Sequence, residues 1–423
     1  MAKKLFYSQS LRGLPGDGRL LFATRLVRLF AYGFLSVILV IYLIEIGLTK
    51  TQIGVLLAAT LMGDAIISLW LTTVADQFGR KRILIIGAIL MCFAGIFFAF
   101  TNNFIFLMIA ATIGVISPSG YEIGPFLAIE QAALAQLVPN ELRTRIFAWY
   151  YLVGSFATAT GSLASGVLVQ ALQKSGMALA ESCRMVVLGY ALVGIMLWFL
   201  FTRLSSQVEV ARKDANVKRT SKTRFGLHRS RGIVFKLSFL FAIDSFGGGF
   251  ILQSIVAYWF HVRFGVEPVV LGGIFFGASL LSGLSGLVAA RLAAKIGLVN
   301  TMIFTHIPSN VLLVLVPLVP NLEWAIALFL LRCSISQMDV PTRQSYTMAV
   351  VEPDERSAAG GVTNIARTLG GSLSPIFTSV LLTKVSLLNM IFFAAGGLKL
   401  VYDFLLFYGF RTLKPPEERG KTV

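Results

Sequence analysis

The chain has 423 residues, of which 56% are hydrophobic and only 13% are charged, and its formal net charge is +17. A soluble domain of average composition carries roughly 25% charged residues. The composition therefore excludes a water-soluble enzyme, a disordered chain and a secreted disulfide-rich scaffold. The three cysteines, Cys92, Cys183 and Cys333, are widely spaced and form no metal-binding or redox motif. We predict no cofactor and no bound metal.

Long apolar segments recur along the chain. A helix that crosses a bilayer needs about 20 mostly apolar residues, and twelve segments meet this requirement. Their apolar runs are continuous, whereas the strands of a β-barrel would alternate and be about half as long. The sequence therefore predicts an all-α membrane protein with twelve transmembrane helices. The predicted spans are 20–46, 52–75, 83–101, 104–136, 144–172, 183–203, 234–262, 267–290, 298–319, 322–350, 357–384 and 386–410.

Basic residues are distributed unevenly between the two sides of the membrane. With both termini in the cytoplasm, the inside segments hold 26 of the 37 Lys and Arg residues and the outside loops hold five. Positive charge marks the cytoplasmic side, so we predict cytoplasmic termini. The short loops and tails predict a location in the cell inner (plasma) membrane. The basic linker after span 6 would lie on anionic lipid of the bilayer, with a partner-binding loop as the alternative. The charge then requires no nucleic acid, and we expect a monomer.

The two halves of the chain resemble each other. Gly33–Tyr42 of span 1 aligns with Gly249–Tyr258 of span 7 at an offset of 216, and Glu130 of span 4 aligns with Arg343 of span 10 at an offset of 213. Two six-helix halves joined by a basic linker are typical of transporters whose site lies near the middle of the bilayer. We predict an N-terminal bundle at 1–203, a cytoplasmic linker at 204–233 and a C-terminal bundle at 234–423.

The turn between spans 2 and 3 reads TVADQFGRKR and contains Asp76, Gly79, Arg80 and Lys81. It is similar to the signature loop of the major facilitator superfamily, and PDERSA at 353–358 is also typical of that family. The resemblance implies that spans 1, 4, 7 and 10 line a central cavity. It also implies that Asp76 caps span 11 and latches the outward-facing state, with a purely topological role as the alternative.

Two further gating residues are expected near the cytoplasmic ends of spans 4 and 10. These are Glu130, predicted to pair with Arg80 or Lys81 below the latch, and Arg343.

Several positions depart from the family pattern. Thr72 stands where the loop usually begins with Gly, Gln77 replaces a basic residue, and Ala294 replaces the matching Asp of the second half. In span 5 the signature of the drug:proton antiporters is reduced to AxxxGSxxSG without its proline, and span 4 lacks their arginine. The chain thus resembles the exporter branch with departures.

Ionisable residues inside spans are costly unless they face water or each other, and they concentrate in spans 1, 4, 7 and 10. A carboxylate in a low-dielectric cavity takes up a proton more readily than one in water. Glu122 is the first candidate for proton coupling, because SPSGYEIGPF at 117–126 contains two prolines and two glycines that break a helix. A structural salt bridge with Arg332 is the alternative.

Two further carboxylates could couple protons. Asp244 is the second candidate, and Asp64 the third, unless it hydrogen-bonds near Asn364 and Arg367 in the interface of spans 2 and 11. At the repeat offset, Arg28 corresponds to Asp244, which predicts either an ion pair between the halves or local pairs within each half.

Substrate contacts are expected from charged and polar residues of the spans assigned to the cavity. They are Arg25, Arg28, Tyr32, Tyr121, Gln253, Arg332 and Asp339. In span 12 the i,i+4 spacing of Lys399 and Asp403 predicts mutual neutralisation, and His306 in span 9 is predicted to be structural.

The chain has no Walker A motif, zinc-protease motif or nucleophile elbow, so we predict that it is not an enzyme. The favoured function is proton-coupled efflux of a small molecule by alternating access. A proton-coupled importer of an anionic metabolite is the first alternative, because four arginines make the expected cavity basic. A non-transporting sensor or lipid-handling protein on the same scaffold is the second.

Overall fold

The fold is that of a computed structural model, which describes residues 14–122, 124–209, 229–352, 355–411 and 413. The side chains of residues 72–74, 76, 77, 140–145, 290, 294, 357 and 358 are not described. The predictions for the side chains of Asp76, Thr72, Gln77 and Ala294 therefore lie outside the described part of the chain. Over the described residues the secondary structure is helical with no strand, which confirms the all-α class.

The helices follow the predicted spans in order, and we number them accordingly, with a and b for the two parts of an interrupted span. They are 1a (Gly16–Ser36), 1b (Leu39–Glu45), 2 (Lys50–Phe78), 3 (Arg80–Phe100), 4a (Phe104–Ile113), 4b (Phe126–Leu137), 5 (Asn140–Lys174), 6 (Leu179–Thr202), 7a (Arg231–Gly249), 7b (Gln253–Phe264), 8 (Pro268–Ile296), 9 (Leu298–Leu315), 10a (Leu322–Ser336), 10b (Asp339–Ala349), 11 (Arg356–Leu382) and 12 (Met390–Phe410).

Ten of the predicted spans are long and apolar enough to cross a membrane within the described residues, if the pair 1a and 1b, bent by 46°, is taken as one span. The other two, spans 4 and 10, are each divided into two shorter helices. Spans 1 and 7 are interrupted as well, at 37–38 and 250–252. The four interrupted spans are therefore 1, 4, 7 and 10, which occupy equivalent places in the two halves.

The described residues form two compact units. The first, here the N-unit, comprises the described residues within Met1–Leu48, Gly63–Lys218 and Val266–Phe276. The second, the C-unit, comprises those within Thr49–Met62, Arg219–Gly265 and Gly277–Val423. Each unit thus holds most of one predicted six-helix half and the first residues of one span from the other half.

Glycines bring equivalent helices together in both units. In the N-unit a Cβ atom on Gly33 would collide with the backbone of Thr158, so span 1 packs directly on span 5. In the C-unit a Cβ atom on Gly370 would collide with the backbone of Ala242, so span 7 packs on span 11 in the same way. Small residues allow this close approach between membrane helices, and the shared pattern agrees with the sequence repeat.

Two short turns between helices have the same backbone geometry. Gly79, between spans 2 and 3, has φ of +101°, and Gly297, between spans 8 and 9, has φ of +87°. Side chains other than glycine rarely adopt these angles, so a glycine is required at both places.

Candidate functional site

The break in span 4 leaves backbone groups without helical partners, and side chains of the N-unit bond to several of them. Gly120 and Gly124 have φ of +71° and +78°, which takes the chain out of the helix between Ile113 and Phe126. The Gly124 N–H donates to Asp64 at 2.6 Å, and the Tyr190 hydroxyl donates to the Val115 carbonyl at 2.6 Å. Irregular backbone at membrane depth is tolerated only when it is satisfied in this manner.

Asp64 is therefore a structural acceptor in this conformation. Besides the Gly124 N–H, it accepts a hydrogen bond from Ser68 at 3.1 Å. These partners lie in spans 2 and 4, whereas the sequence suggested a hydrogen bond toward Asn364 or Arg367.

The break also presents Glu122 to two arginines of span 1. Arg25 donates to Glu122, and Arg28 Nη2 lies 3.2 Å from Oε1 of the same carboxylate. Glu122 is 16% exposed, but both arginine side chains are buried. In this structure the ion-pair partners of Glu122 are thus span 1 residues, in place of the alternative Arg332.

Arg28 makes a second, fully buried ion pair with Glu130. The two guanidinium nitrogens donate to the two carboxylate oxygens at 2.6 and 2.7 Å, a bidentate geometry that is among the strongest available to charged side chains. Thr24 and Tyr150 donate their hydroxyl hydrogens to Glu130 at 3.1 and 2.5 Å. The prediction that Glu130 pairs with Arg80 or Lys81 is wrong, because its position inside the helix bundle brings it to Arg28. We call Arg25, Arg28, Glu122 and Glu130 the N-unit charge cluster.

Aromatic rings cover the two guanidinium groups of this cluster. The Arg25 guanidinium lies 4.3 Å from the ring centroid of Tyr150, and that of Arg28 lies 4.6 Å from the ring centroid of Phe126. The ring faces attract the cations and exclude water from the ion pairs. Tyr150 was not identified from the sequence, although its hydroxyl also bonds to Glu130.

The C-unit contains a larger buried cluster around Asp244. The Asp244 carboxylate accepts from Lys399 Nζ at 2.6 Å and from Arg343 Nη1 at 3.0 Å. Asp339 lies 3.0 Å from Arg343 Nη1 on the other side. His306 Nδ1 is 2.7 Å from Asp403 Oδ1. The C-unit charge cluster consists of Asp244, His306, Asp339, Arg343, Lys399 and Asp403, and each of these residues is buried.

This arrangement corrects the prediction that Lys399 and Asp403 of span 12 pair with each other. Lys399 and Asp403 do not neutralise each other, because Lys399 bonds to Asp244 and Asp403 bonds to His306 and Asn310. His306 lies between the carboxylates of Asp244 and Asp403, and its predicted structural role stays a prediction. Helical spacing permits contacts along span 12, but the neighbouring helices supply closer partners.

The two clusters contain one equivalent contact with exchanged charges. Arg28 and Asp244 are aligned by the repeat, and so are Glu130 and Arg343. The first half pairs Arg28 with Glu130, and the second pairs Asp244 with Arg343. Arg28 and Asp244 therefore each take a partner in their own half, which is the local alternative of the two considered from the sequence.

The remaining candidate substrate residues have different environments. Tyr32 is fully buried and stacks on Tyr190, with ring centroids 6.5 Å apart. Tyr121 is 49% exposed beside Glu122. Gln253 begins span 7b, and Arg332, in span 10a, is partly buried. Of these side chains, that of Tyr121 is the most exposed.

The turn after span 2 is held by a residue that the sequence did not reveal. The Glu209 carboxylate accepts from the backbone N–H of Arg80 at 2.7 Å and of Lys81 at 3.2 Å, and so caps the N-terminus of span 3. A carboxylate at this position also complements the helix dipole. Lys81 Nζ donates to the Leu204 carbonyl at 2.6 Å. The only signal in the sequence for this role was that Glu209 is an acidic residue in a linker rich in Lys and Arg.

Comparison with known proteins places these features in a family. The sequence profile described as Major Facilitator Superfamily matches residues 21–375. An uncharacterized membrane protein of Saccharomyces cerevisiae is 31% identical over 417 residues, which cover 92% of this chain and 93% of the yeast protein. The quinolone resistance protein NorA of Staphylococcus aureus is 32% identical over 117 residues, or 28% of this chain and 29% of NorA.

Solved structures show the same fold. The D-xylose–proton symporter superimposes with a TM-score of 0.72 at 16% identity, covering 96% of this chain and 99% of the symporter. The nucleoside transporter NupG gives a TM-score of 0.69 at 14% identity, covering 94% of this chain and all of NupG. The resemblance drawn from the loop after span 2 and the predicted fold are confirmed.

Proposed function

Because the chain belongs to the major facilitator superfamily, we propose that it exports a small organic molecule in exchange for protons by alternating access. The chain is a multi-pass membrane transporter of that superfamily. We further propose that transport is outward and coupled to protons. We also propose that the protein is a monomer in the plasma membrane, with both termini in the cytoplasm.

The observation that carries this proposal is the position of Glu122. It is a partly exposed carboxylate at a helix break, held by two buried arginines. Both arginines belong to span 1 and Glu122 belongs to span 4, so any change in this contact moves the two spans relative to each other. Proton uptake would thus be tied to a rearrangement of spans 1 and 4, which is what a coupled transporter requires.

The pairing of the arginines favours an exporter over an importer of anions. Arg25 and Arg28 face Glu122 and Glu130, and Arg343 faces Asp244 and Asp339. An anionic substrate would have to compete with these carboxylates for the guanidinium groups. A cationic, zwitterionic or neutral substrate meets no such competition, and the partial similarity to a quinolone resistance protein supports a drug-like aromatic molecule.

The first test is substrate-induced proton movement in sealed proteoliposomes that contain a pH-sensitive dye. The probes are ethidium as a cation, norfloxacin as a zwitterion, a neutral sugar and an anionic carboxylate. Proton movement opposite to a probe supports the exporter, and movement with the anionic probe favours the importer. Transport without a proton signal would overturn the coupling, and binding without any flux would favour the non-transporting alternative.

Neutralising Glu122 is expected to uncouple the transporter. Glu122→Gln should reduce gradient-driven transport to the level of protein-free liposomes, because the side chain can no longer take up and release a proton. Glu323→Gln is the matched control, since Glu323 is an exposed carboxylate at the start of span 10a, and it should transport normally. Full gradient-driven transport by Glu122→Gln would remove Glu122 from the coupling mechanism.

A further inference from the structure

His306 of span 9 lies between two carboxylates of the C-unit charge cluster. Its Nδ1 atom is 2.7 Å from Oδ1 of Asp403, and its Nε2 atom is 3.6 Å from Oδ1 of Asp244. The His306 ring is buried, as are both carboxylates. The proposed function makes use of Asp244, but it gives no role to His306 or Asp403.

The orientation of the ring determines how many protons this site must hold. A neutral imidazole carries one N–H, and an ionised carboxylate can only accept. With a single proton between Nδ1 and Asp403, the bare lone pair of Nε2 would face the carboxylate of Asp244. With one more proton, Nε2 carries a hydrogen and both contacts become attractive. Both contacts are therefore attractive only when the His306–Asp403 pair holds an extra proton.

The surrounding side chains favour a proton on the His306–Asp403 pair over a proton on Asp244. Asn310 Nδ2 donates to Asp403 Oδ2 at 2.9 Å and lies 3.1 Å from His306 Nδ1, so it holds the carboxylate and the ring together. Lys399 and Arg343 both donate to Asp244 and hold it in its ionised form. The proton can be shared along the short bond between Asp403 and His306, so it belongs to the pair as a unit.

Charged groups face this pair from several neighbouring helices. Asp244 comes from span 7, Asp339 and Arg343 come from span 10b, and Lys399 and the phenol of Tyr402 come from span 12. Arg367 of span 11 is a further charged group in the neighbourhood of Asp244 and Asp339. Lys399 and Arg343 both bond directly to Asp244. Movement of either cation would therefore change how the proton is distributed between Asp244 and His306.

We propose that the His306–Asp403 pair is a proton-binding site of the transport cycle and that it delivers its proton to Asp244 when Lys399 moves away. The N–H bond at Nε2 breaks, and an O–H bond forms at Oδ1 of Asp244. An imidazolium and a carboxylate become a neutral imidazole and a carboxylic acid, so the net charge is unchanged. This inference rests on the proposed proton coupling and adds His306 and Asp403 to the proton path.

The first experiment measures where the hydrogen lies. The chain has three histidines, at 228, 261 and 306, so His228→Gln with His261→Gln leaves His306 as the only one. Nitrogen-15 NMR of the histidine-labelled full-length protein at neutral pH should then show an imidazolium, with a hydrogen on both Nδ1 and Nε2. A neutral ring with a hydrogen on one nitrogen alone would contradict the proposal that the pair stores a proton.

The second experiment separates proton coupling from folding and from substrate binding. His306→Gln should lose proton movement driven by norfloxacin or ethidium, yet it should still exchange labelled for unlabelled probe across the membrane. Exchange needs no net proton transfer, whereas a merely structural role for His306 would reduce both activities together. Asp403→Asn should behave like His306→Gln, and His261→Gln is the control that leaves the cluster intact.

The outcomes distinguish this inference from the proposed function. If the wild-type protein couples and His306→Gln couples equally well, the inference is wrong and the exporter proposal stands. If the wild-type protein transports without moving protons, the proton coupling in the proposed function is wrong. The role of the His306–Asp403 pair in the transport cycle is then wrong as well. Joint loss of exchange and coupling in both variants would assign His306 and Asp403 to structure.

Discussion

Replacing Arg28 by methionine is expected to destabilise the N-unit by about 3–5 kcal/mol, the usual cost of removing one partner from a buried ion pair. Glu130 would remain fully buried, with only the hydroxyl groups of Thr24 and Tyr150 as donors. The midpoint of thermal unfolding in detergent should fall by roughly 10 °C. A thiol-reactive dye can report unfolding, because Cys183 and Cys333 are free and buried.

The double variant Arg28→Met with Glu130→Met provides the decisive comparison. Removing both charges leaves no uncompensated group, so most of the lost stability should return. Arg203→Met serves as the control, because Arg203 is exposed at the end of span 6, and its loss should cost less than about 1 kcal/mol. A double variant as unstable as the single one would show that the ion pair does not explain the effect.

Replacing Gly161 by valine is expected to prevent assembly of the N-unit. A Cβ atom at this position would collide with the backbone carbonyl of Phe30, where spans 1 and 5 are in direct contact. Ordinary overpacking costs roughly 1–3 kcal/mol, and the cost here should be higher, since a backbone carbonyl cannot rotate away as a side chain can. Size-exclusion chromatography of the detergent extract should show no folded protein.

Gly397→Val provides the matched control for the glycine contact. Gly397 lies in span 12 and faces open space, with no atom within 4 Å of an added Cβ. This variant should elute like the wild-type protein, because valine is no worse than glycine in the interior of a helix. Normal elution of Gly161→Val would mean that spans 1 and 5 can separate without loss of the fold.

The course of the chain was predictable because the bilayer imposes a minimum length on every apolar helix. The break in span 4 was also predictable, since Pro118, Pro125 and the neighbouring glycines cannot continue a helix. The break in span 10 had a weaker signal in Pro341, which lies in the first turn of span 10b, where its missing N–H costs nothing. Span 1 has no proline at its break, so its bend depends on packing that sequence spacing does not describe.

The charged residues were predictable as a group, but their partners were not. Composition singles out Arg28, Glu130 and Asp244, because an ionisable group in an apolar segment is rare. Partner choice depends on which helix faces which. Asp403 shows this limit: its spacing from Lys399 satisfied the local rule, yet His306 from another span is its partner. The pairing could be inferred only once the packing of spans 9 and 12 was known.

The exchanged charges in the two halves have a consequence for the evolution of the chain. Loss of Arg28 alone leaves the buried carboxylate of Glu130 without its cationic partner, so natural substitutions at 28 and 130 should occur together. An alignment of one half against the other scores both positions as opposite in charge, although the contact is retained. Among related sequences, we expect lineages in which the acid and the base of one pair have changed places while the pair itself has been preserved.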